Sequence, residues 1–381
     1  MTQPSQTRLL ILTADAGFGH RRAACAITQA FEELYGENCI VEVANPLDDP
    51  QVMSALRNTQ SDHDQFARGL RNIYEVVWQA SRARLPSGLL GRVLTITLRR
   101  VISDLLERFQ PDVIVNTYPL YNPPLASIFR AEQNRLPVVT VITDLGTVHR
   151  LWFYRSAAAC LVATEKVRQQ AIDYGLPAEN VHISGIPIAP AFSKESRSKE
   201  ALRRELGWRT DLPVALAVGS VRVLHMAEIV RGLNSAGLPL QLAVVAGGDA
   251  GLMNELRQIE WQLPVHIYDW VEELPAMMHA ADIMISKAGG LIIAESLACG
   301  LPLLLVDVMP DQEKGNVQYV LQAEAGELGL SPGEAINVLR TWLADDNKLL
   351  DRRAHNARMI GRPQAAYTAA GHAWRCAGND P

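Results

Sequence analysis

Cysteine is scarce in this sequence, and the five cysteines lie far apart along the chain. Cys25, Cys39, Cys160, Cys299 and Cys376 are odd in number, and no two of them form a CxxC pair. This spacing argues against a zinc site or a disulfide framework, and it is typical of free thiols in a reducing compartment. The cysteines therefore predict a cytoplasmic protein in which they are buried thiols.

Several other features are also missing. No apolar stretch approaches the roughly 20 residues that span a bilayer, and the opening residues hold only a short apolar run without a small-residue cleavage site, so no signal peptide is expected. The net charge of -5 argues against nucleic acid as a main partner. No cluster of carboxylates suits a metal ion, so we expect no metal cofactor.

The sequence does contain enough apolar residues to form the cores of two domains. It has 381 residues, of which 48% are hydrophobic, and both halves alternate apolar strands, polar or glycine loops and helical patterns, which indicates doubly wound α/β domains. Pro187, Pro190 and the charged stretch 193–200 predict a linker. We expect an N-terminal domain at 1–190, a C-terminal domain at 191–362 and a final helix at 363–381.

The most informative stretch runs from Asp282 to Tyr319. A strand (282–286) leads into the turn Lys287-Ala288-Gly289-Gly290, a helix follows to Cys299, and a second strand spans 303–306. Glycines permit close approach of the backbone to a ligand, and the helix start presents unpaired N–H groups and a positive dipole end. The turn therefore predicts an anion site.

Glu295 lies inside that helix, beyond its first turn. A solvated surface glutamate is one interpretation, and an acceptor for a pair of ligand hydroxyls is the other. The polar cluster 311–316 follows the second strand, at the edge where parallel sheets bind ligands.

The N-terminal half opens with a strand (8–13), the loop 14–20 and a helix to about Tyr35. The loop lacks the full GxGxxG fingerprint, and no acidic residue ends the second strand, so an NAD enzyme is not expected. His20 lies at the helix start, where the dipole keeps imidazole neutral and able to accept a proton. A capping or packing histidine is the alternative.

Taken together, these motifs resemble glycosyltransferase family 28, specifically the monogalactosyldiacylglycerol synthases and processive diacylglycerol glucosyltransferases. The resemblance covers nearly the whole chain and is carried by residues 15–20, 143–153, 184–188 and 286–316. It implies the GT-B fold, in which two Rossmann-like domains face each other across a cleft. It also implies inverting transfer of a hexose from a UDP-sugar to a lipid acceptor, without a metal.

The resemblance also implies residue roles. The proposed base is His20, and Asp144 and His149 orient it or the acceptor, unless they form a salt-bridged or capping pair. Glu295 takes the ribose hydroxyls, and Gln312 and Glu313 take the sugar. The other residues assigned to the UDP-sugar are Gly19, Gly219, Ser220, Arg222, Trp270, Val271, Lys287, Ala288, Gly289, Gly290 and Asn316.

Within that set, Trp270 and Val271 are placed at the uracil, and 219–222 at the diphosphate. Arg222 supplies charge there, unless it is simply an exposed arginine. The chain departs from the family at Ala16, Phe18, Asp311 and 220–223, where relatives are smaller or richer in glycine.

Basic and apolar residues alternate between Phe66 and Phe109. For 66–90 an interfacial helix on an anionic membrane and a core-facing helix are equally compatible with the pattern, and for 92–109 the core-facing helix is favoured. We therefore expect a cytoplasmic, peripherally membrane-associated enzyme.

The sequence leaves the oligomeric state open and favours galactose over glucose, because Thr147 and 312–316 look nearer the galactosyltransferases. Another GT-B enzyme that uses UDP-N-acetylglucosamine, either a transferase or an epimerase, is one alternative function. A non-catalytic UDP-sugar or lipid-binding protein is the other.

Overall fold

The structure is a computed structural model that describes residues 6–15, 18–52, 89–130, 136–146, 148–309 and 313–380. It divides into two compact units. The N-terminal unit consists of Met1–Pro190 with Gln364–Pro381, and the C-terminal unit consists of Ala191–Pro363. Each unit contains a six-stranded sheet whose paired strands are all parallel.

The sheet of the N-terminal unit has the strand order β2-β1-β3-β4-β5-β6. Its strands are β1 (Thr7–Leu12), β2 (Cys39–Ala44), β3 (Val113–Asn116), β4 (Val138–Val141), β5 (Ala159–Val162) and β6 (Val181–Ile183). The helices between them are α1 (Phe18–Tyr35), α2 (Leu89–Phe109), α3 (Asn122–Phe129) and α4 (Glu165–Asp173).

Both faces of this sheet are covered, which explains why its strands read as continuous apolar runs. Successive side chains of β1 point to opposite faces: Leu9 and Ile11 pack under α1, whereas Leu10 and Leu12 pack with Leu98 and its neighbours on α2. The core-facing interpretation of 92–109 is therefore confirmed for the side chains that the structure describes there. The segment 66–90, for which an interfacial and a core-facing helix were equally compatible with the sequence, lies almost entirely outside the described residues.

The sheet of the C-terminal unit has the order β12-β11-β10-β7-β8-β9. Its strands are β7 (Val214–Val218), β8 (Gln241–Val245), β9 (Val265–Tyr268), β10 (Ile283–Lys287), β11 (Leu303–Asp307) and β12 (Gly326–Leu328). Its helices are α5 (Ala191–Lys194), α6 (Lys199–Glu205), α7 (Met226–Asn234), α8 (Ala250–Arg257), α9 (Leu274–Ala280), α10 (Gly290–Ala298), α11 (Lys314–Gln322), α12 (Pro332–Trp342) and α13 (Lys348–Ile360).

The last helix, α14 (Ala365–Cys376), belongs to the N-terminal unit. Its buried face consists of small residues, Ala365, Ala366, Ala369, Ala370 and Ala373, which allow it to pack closely against the sheet and α1. At its end the Trp374 ring stacks on Tyr35 with 3.9 Å between ring centroids. The chain terminus therefore completes the core that begins with β1.

Each sheet has a switch point, a strand from which successive connections lead to opposite sides of the sheet. From β1 the chain continues to β2 on one side and later to β3 on the other, and from β7 it continues to β8 on one side and later to β10 on the other. Open α/β sheets bind ligands outside the carboxyl ends of the strands at such switch points. The fold therefore marks two places, between β1 and β3 and between β7 and β10.

Several features differ from the expectations. Part of the stretch 193–200, which was predicted as a linker, is helical, because α5 ends at Lys194 and α6 begins at Lys199. The sequence 332–360 has one continuous helical pattern, but α12 and α13 are separated at Asp345–Asn347, three residues with positive φ. The short strand β12 was not indicated by the sequence either. All five cysteines are free, but Cys25 is exposed, so the prediction of buried thiols is wrong there.

No helix in the described part of the chain is long and apolar enough to cross a membrane.

Candidate functional site

His20 lies in the first turn of α1, at the switch point of the N-terminal unit. Its Nδ1 is 3.1 Å from the hydroxyl of Thr143, which follows β4. The ring packs edge-on against Tyr118, with 5.1 Å between centroids, and lies 5.8 Å from Trp152. Side chains from the connections that follow β3 and β4 thus fix the orientation of this imidazole.

Thr117 connects His20 to the sheet. Its backbone N–H donates to Leu12 O at 2.9 Å, and its hydroxyl is 3.2 Å from Leu12 O and 3.4 Å from His20 O. The end of β3 is therefore bonded to the loop that carries His20. The polar run after this strand is visible in the sequence, but its contact with α1 is not.

His149 is a capping residue. It is buried, and its Nδ1 accepts a hydrogen bond from the Leu151 N–H at 3.2 Å, at the start of the short 3-10 helix Arg150–Trp152. The neutral ring must therefore carry its proton on Nε2. The cap holds the turn that places Trp152 beside His20, which supports a positioning role through Trp152.

Asp144 is half-buried three residues beyond β4, next to Thr143. It lies at the same sheet edge as His20, as the sequence predicts for polar residues that follow a strand. Thr147, which carried part of the preference for galactose, lies outside the described residues.

A second polar network at this edge was not anticipated. The buried Tyr121 hydroxyl lies 2.9 Å from Thr13 O and 3.0 Å from Asn45 Oδ1, and burial raises the pKa of Tyr121 well above its ordinary value. Asn122 donates from Nδ2 to Leu151 O and Trp152 O. These bonds join the ends of β1, β2 and β3 to the turn beside His20.

In the C-terminal unit, α10 begins without a side-chain cap. Its N-cap is Gly289, which has an extended backbone (φ -72, ψ 140). The first N–H groups of a helix lack intrahelical partners, and the macrodipole adds positive potential at that end. The turn 287–290 therefore has the uncapped helix start that the predicted anion site requires.

The residues around this turn are bonded to one another. Lys287 pairs with Glu313, whose other carboxylate oxygen accepts the Met309 N–H at 2.8 Å. Asn316 donates from Nδ2 to Ala288 O at 3.0 Å. Lys287, Ala288, Glu313 and Asn316, predicted separately from the sequence, are thus brought together, whereas Gln312 and Asp311 lie outside the described residues.

Glu295 is buried, with 4% of its surface exposed. The interpretation of a solvated surface glutamate is therefore wrong. Its negative charge and burial together raise the pKa of the Cys299 thiol, with burial the larger cause.

The loop after β7 runs from Gly219 to Leu224. Its start is packed tightly, because a side chain at Gly219 would clash with Leu252, and a side chain at Gly247 (φ +65) would clash with Gly219 O. Ser220 and Arg222 are both half-buried, so Arg222 is not the fully exposed arginine of the alternative interpretation.

Trp270 and Val271 follow β9. Trp270 is 61% exposed, unusual for so large an apolar ring, and Val271 is half-buried. Gly248 (φ +79) approaches the Trp270 ring, since a Cβ there would lie 3.9 Å from it. The Gly247-Gly248 pair was missed as a site feature, although paired glycines after a strand are a recognisable signal.

All described candidates of the C-terminal unit thus lie at or after the carboxyl ends of β7, β9, β10 and β11 or on the helices that begin there. Within the described ranges, no group of three or more His, Cys, Asp or Glu side chains is arranged to hold a metal ion.

Comparison with known families gives one match in each half of the chain. The family model for monogalactosyldiacylglycerol (MGDG) synthase matches residues 20–188, and the model for the glycosyltransferase family 28 C-terminal domain matches residues 217–356. The first match begins at His20, and the second contains the glycine turn.

Similar sequences include two plant proteins. The monogalactosyldiacylglycerol synthase of Spinacia oleracea is 30% identical over 95% of this chain and 71% of its own length. Monogalactosyldiacylglycerol synthase 1 of Arabidopsis thaliana is 28% identical over 94% of this chain and 69% of its own length. Both are described as chloroplastic.

Solved structures with the same fold are more distant in sequence. Acinetobacter baumannii MurG is 14% identical and superposes with a TM-score of 0.61 over 97% of this chain and 99% of its own. Anabaena HepE in complex with UDP-glucose is 16% identical, with a TM-score of 0.54 over 98% of this chain and 99% of its own. This likeness and the two parallel sheets confirm the predicted GT-B class of α/β fold.

The resemblance read from the motifs is confirmed by both family models, and so is the prediction of a glycosyltransferase. With 30% identity to the spinach protein over more than two thirds of that protein, the chain belongs to the monogalactosyldiacylglycerol synthase family.

Proposed function

We propose that the protein transfers galactose from UDP-galactose to the free hydroxyl of diacylglycerol, with inversion at the anomeric carbon. The observation that carries this proposal is the family membership over nearly the whole chain. The two switch-point sites support it, because one presents a histidine and the other an uncapped helix start.

In this reaction His20 removes the acceptor proton. A neutral imidazole that donates from Nδ1 to Thr143 Oγ1 carries its basic lone pair on Nε2, and the structure places Nδ1 at hydrogen-bond distance from that hydroxyl. The acceptor O–H bond breaks as its oxygen bonds to the anomeric carbon, and the bond from that carbon to the diphosphate oxygen breaks. Asp144, and His149 acting through Trp152, orient the base or the acceptor.

The donor half of the reaction is assigned to the C-terminal unit. The leaving UDP carries the developing charge, which the first N–H groups of α10 at Gly289 and Gly290 stabilise, together with Arg222 and the 219–220 backbone. Glu295 accepts from the ribose hydroxyls. Glu313, with Gln312, accepts from sugar hydroxyls, since each carboxylate oxygen can accept a second hydrogen bond beside those to Lys287 and Met309.

The acceptor is a membrane lipid, so the enzyme must work at a bilayer surface. We propose peripheral association with an anionic membrane through the basic and apolar segment 66–109. On the exposed side of α2, Arg99 and Arg100 follow Ile96, which is 68% exposed. This arrangement suits a helix that meets headgroups.

Product analysis tests the function. The purified protein is incubated with radiolabelled UDP-galactose, UDP-glucose or UDP-N-acetylglucosamine over vesicles that contain diacylglycerol, and the extracted lipid is identified by chromatography and mass spectrometry. We expect a monogalactosyl lipid with a β linkage from UDP-galactose.

Each of the other possible results would correct a different part of the proposal. Glucose transfer alone would correct the donor, and turnover of UDP-N-acetylglucosamine would favour the alternative transferase or epimerase. UDP binding without any transfer would favour the non-catalytic binding protein. Absence of sedimentation with anionic vesicles would contradict the membrane association but not the transfer itself.

A further inference from the structure

Asp307, the last residue of β11, bonds to two different loops at the edge of the C-terminal sheet. Its side-chain Oδ2 accepts the Leu224 N–H at 3.0 Å. Its backbone carbonyl accepts the Ala288 N–H at 2.9 Å. One residue therefore holds both the loop after β7 and the glycine turn that begins α10.

The strand order gives the first of these bonds its significance. β10 lies between β11 and β7, so a bond from the end of β11 to the loop after β7 must reach across the end of β10. That end carries Ala288 and Gly289, directly before α10. The Asp307–Leu224 bond thus holds the loop towards the helix start, over the switch point between β7 and β10.

Other hydrogen bonds hold the start and the middle of the loop. At its start the Gly219 N–H donates to Val245 O at 2.8 Å, and inside it the Val223 N–H donates to Ser220 O at 2.9 Å. The Arg222 N–H donates to Ser220 Oγ at 3.3 Å. None of these bonds uses the backbone N–H groups of Ser220 and Val221.

The residue that follows the loop has an unusual backbone conformation. His225, the N-cap of α7, has a left-handed backbone (φ +61, ψ 13), which is uncommon for a residue other than glycine and persists only where its surroundings impose it. The Asp307–Leu224 bond is made by the residue directly before His225, and the His225 ring lies 3.2 Å from Glu228 on α7.

We infer that Asp307 is a positioning residue for the diphosphate of the donor. Its side chain holds the loop Gly219–Leu224 in the conformation that presents backbone N–H groups and Arg222 beside the first turn of α10. The feature required is a hydrogen-bond acceptor and not a negative charge, which would repel the phosphates. This inference rests on the proposed UDP-sugar function.

The test compares Asp307→Asn, which keeps an acceptor oxygen of the same shape, with Asp307→Ala, which removes it. For Asp307→Ala we expect the Kd for UDP, measured by calorimetry, to rise about tenfold, the effect of one lost hydrogen bond to a charged group. Uridine lacks phosphate, so its binding in ligand-observed NMR should not change. Asp307→Asn should bind UDP within about twofold of the unmodified protein.

Two further measurements separate positioning from general damage. In steady-state kinetics Asp307→Ala should raise the KM for UDP-galactose and leave the KM for diacylglycerol unchanged. The matched control is Asp112→Ala, which removes a comparable bond from a carboxylate to the Arg8 N–H, 2.8 Å long, in the N-terminal unit. This control should bind UDP normally.

The outcomes are distinguishable. If the unmodified protein binds no UDP, the proposed function fails. If it binds UDP and Asp307→Ala binds equally well, or loses uridine and UDP alike, the role of Asp307 is overturned. If Asp307→Ala does not fold, Asp307→Ser, whose hydroxyl is too short to reach Leu224, must show the same selective loss of UDP affinity for the inference to stand.

Discussion

Single side chains at the N-terminal switch point fix the orientation of the His20 ring. The Thr143 hydroxyl can donate to or accept from Nδ1, and in the tautomer in which Nδ1 donates, Nε2 is the basic nitrogen. Tyr118 and Trp152 restrict the ring plane from two sides. A base needs a fixed direction, and these neighbours supply it.

Replacing His20 tests this arrangement. We expect His20→Ala to lower kcat by about 10²–10⁴-fold, the usual contribution of a general base, and to leave the Kd for UDP nearly unchanged, because most residues assigned to the nucleotide belong to the C-terminal unit. Transfer of radiolabelled galactose and UDP calorimetry measure the two effects.

Thr143 provides a graded control for the same prediction. Thr143→Val should lower kcat by less than His20→Ala, whereas Thr143→Ser keeps the hydroxyl and should remain near the unmodified rate. Unchanged transfer by His20→Ala would show that another group takes the proton.

At the scale of elements, the docking of α14 on the N-terminal sheet has a built-in sensitivity to acid. The rings of His372 on α14 and His182 on β6 lie 4.4 Å apart. Burial, the other histidine and Arg375 lower the pKa of His372 from 6.5 to about 4. Burial, Arg375 and Arg168 lower the pKa of His182 as well.

The sign of the effect follows from linkage. Above pH 6.5, the unshifted pKa of His372, the residue is neutral in both the folded and the unfolded chain and has no effect on stability. As the pH falls from there towards 4, the unfolded chain binds the proton and the folded chain does not, so stability is lost. Because the ring is only half-buried and solvent screens its charge, the cost from His372 at about pH 5 is on the order of 1 kcal/mol.

We therefore expect the melting temperature of the unmodified protein to fall between about pH 7.5 and about pH 5, and His372→Gln to reduce that fall. Thermal unfolding followed by circular dichroism at the two pH values measures it. His355→Gln, at an exposed position on α13, is the control and should behave as the unmodified protein. An identical fall in His372→Gln would contradict the prediction.

The elements also show what could be predicted from sequence. Buried parallel strands such as 303–307 were found to within a residue, because their apolar runs are bounded by polar or glycine residues. The break at Asp345–Asn347 was missed because Asp and Asn adopted the left-handed backbone without a glycine to mark it. β12 has only three residues, too few to show the alternation of apolar and polar residues that indicates a strand.

The site was predictable only in part, for a related reason. Residues that follow a strand can be assigned to the ligand edge from the chain alone, which placed His20, Asp144 and Lys287. The contacts that fix them join residues far apart in sequence, such as Leu224 with Asp307 and Thr143 with His20. Such pairs depend on strand order, which no local pattern specifies.

At the scale of the whole molecule, both units have the same parallel-sheet architecture, but different side chains line their switch points. The switch point of the N-terminal unit is lined by His, Thr, Tyr and Trp side chains, whereas that of the C-terminal unit is lined by glycine backbone, Lys287 and Glu313. This division suits activation of an acceptor hydroxyl by one unit and binding of a nucleotide sugar by the other. It also means that nucleotide binding should depend mainly on the C-terminal unit.

The two units differ in how they are built from the chain. The C-terminal unit is continuous, from Ala191 to Pro363, and it has its own apolar core with Leu242, Ile285 and Trp342. The N-terminal unit needs α14 from the far end of the chain to cover α1 and its sheet. A fragment of residues 191–363 should therefore fold, whereas residues 1–190 alone should expose the apolar surface that α14 covers.

We expect the fragment 191–363 to unfold cooperatively and to bind UDP with a Kd within about tenfold of the full-length value, because all residues assigned to the nucleotide except Gly19 lie in it. Calorimetry with UDP on both proteins measures this, and Glu295→Ala in the fragment should abolish the binding. The fragment should transfer no galactose, since it lacks His20. A folded fragment that binds UDP more than a hundredfold more weakly would contradict the assignment of the nucleotide to this unit, because no loss of stability would then account for the lost affinity.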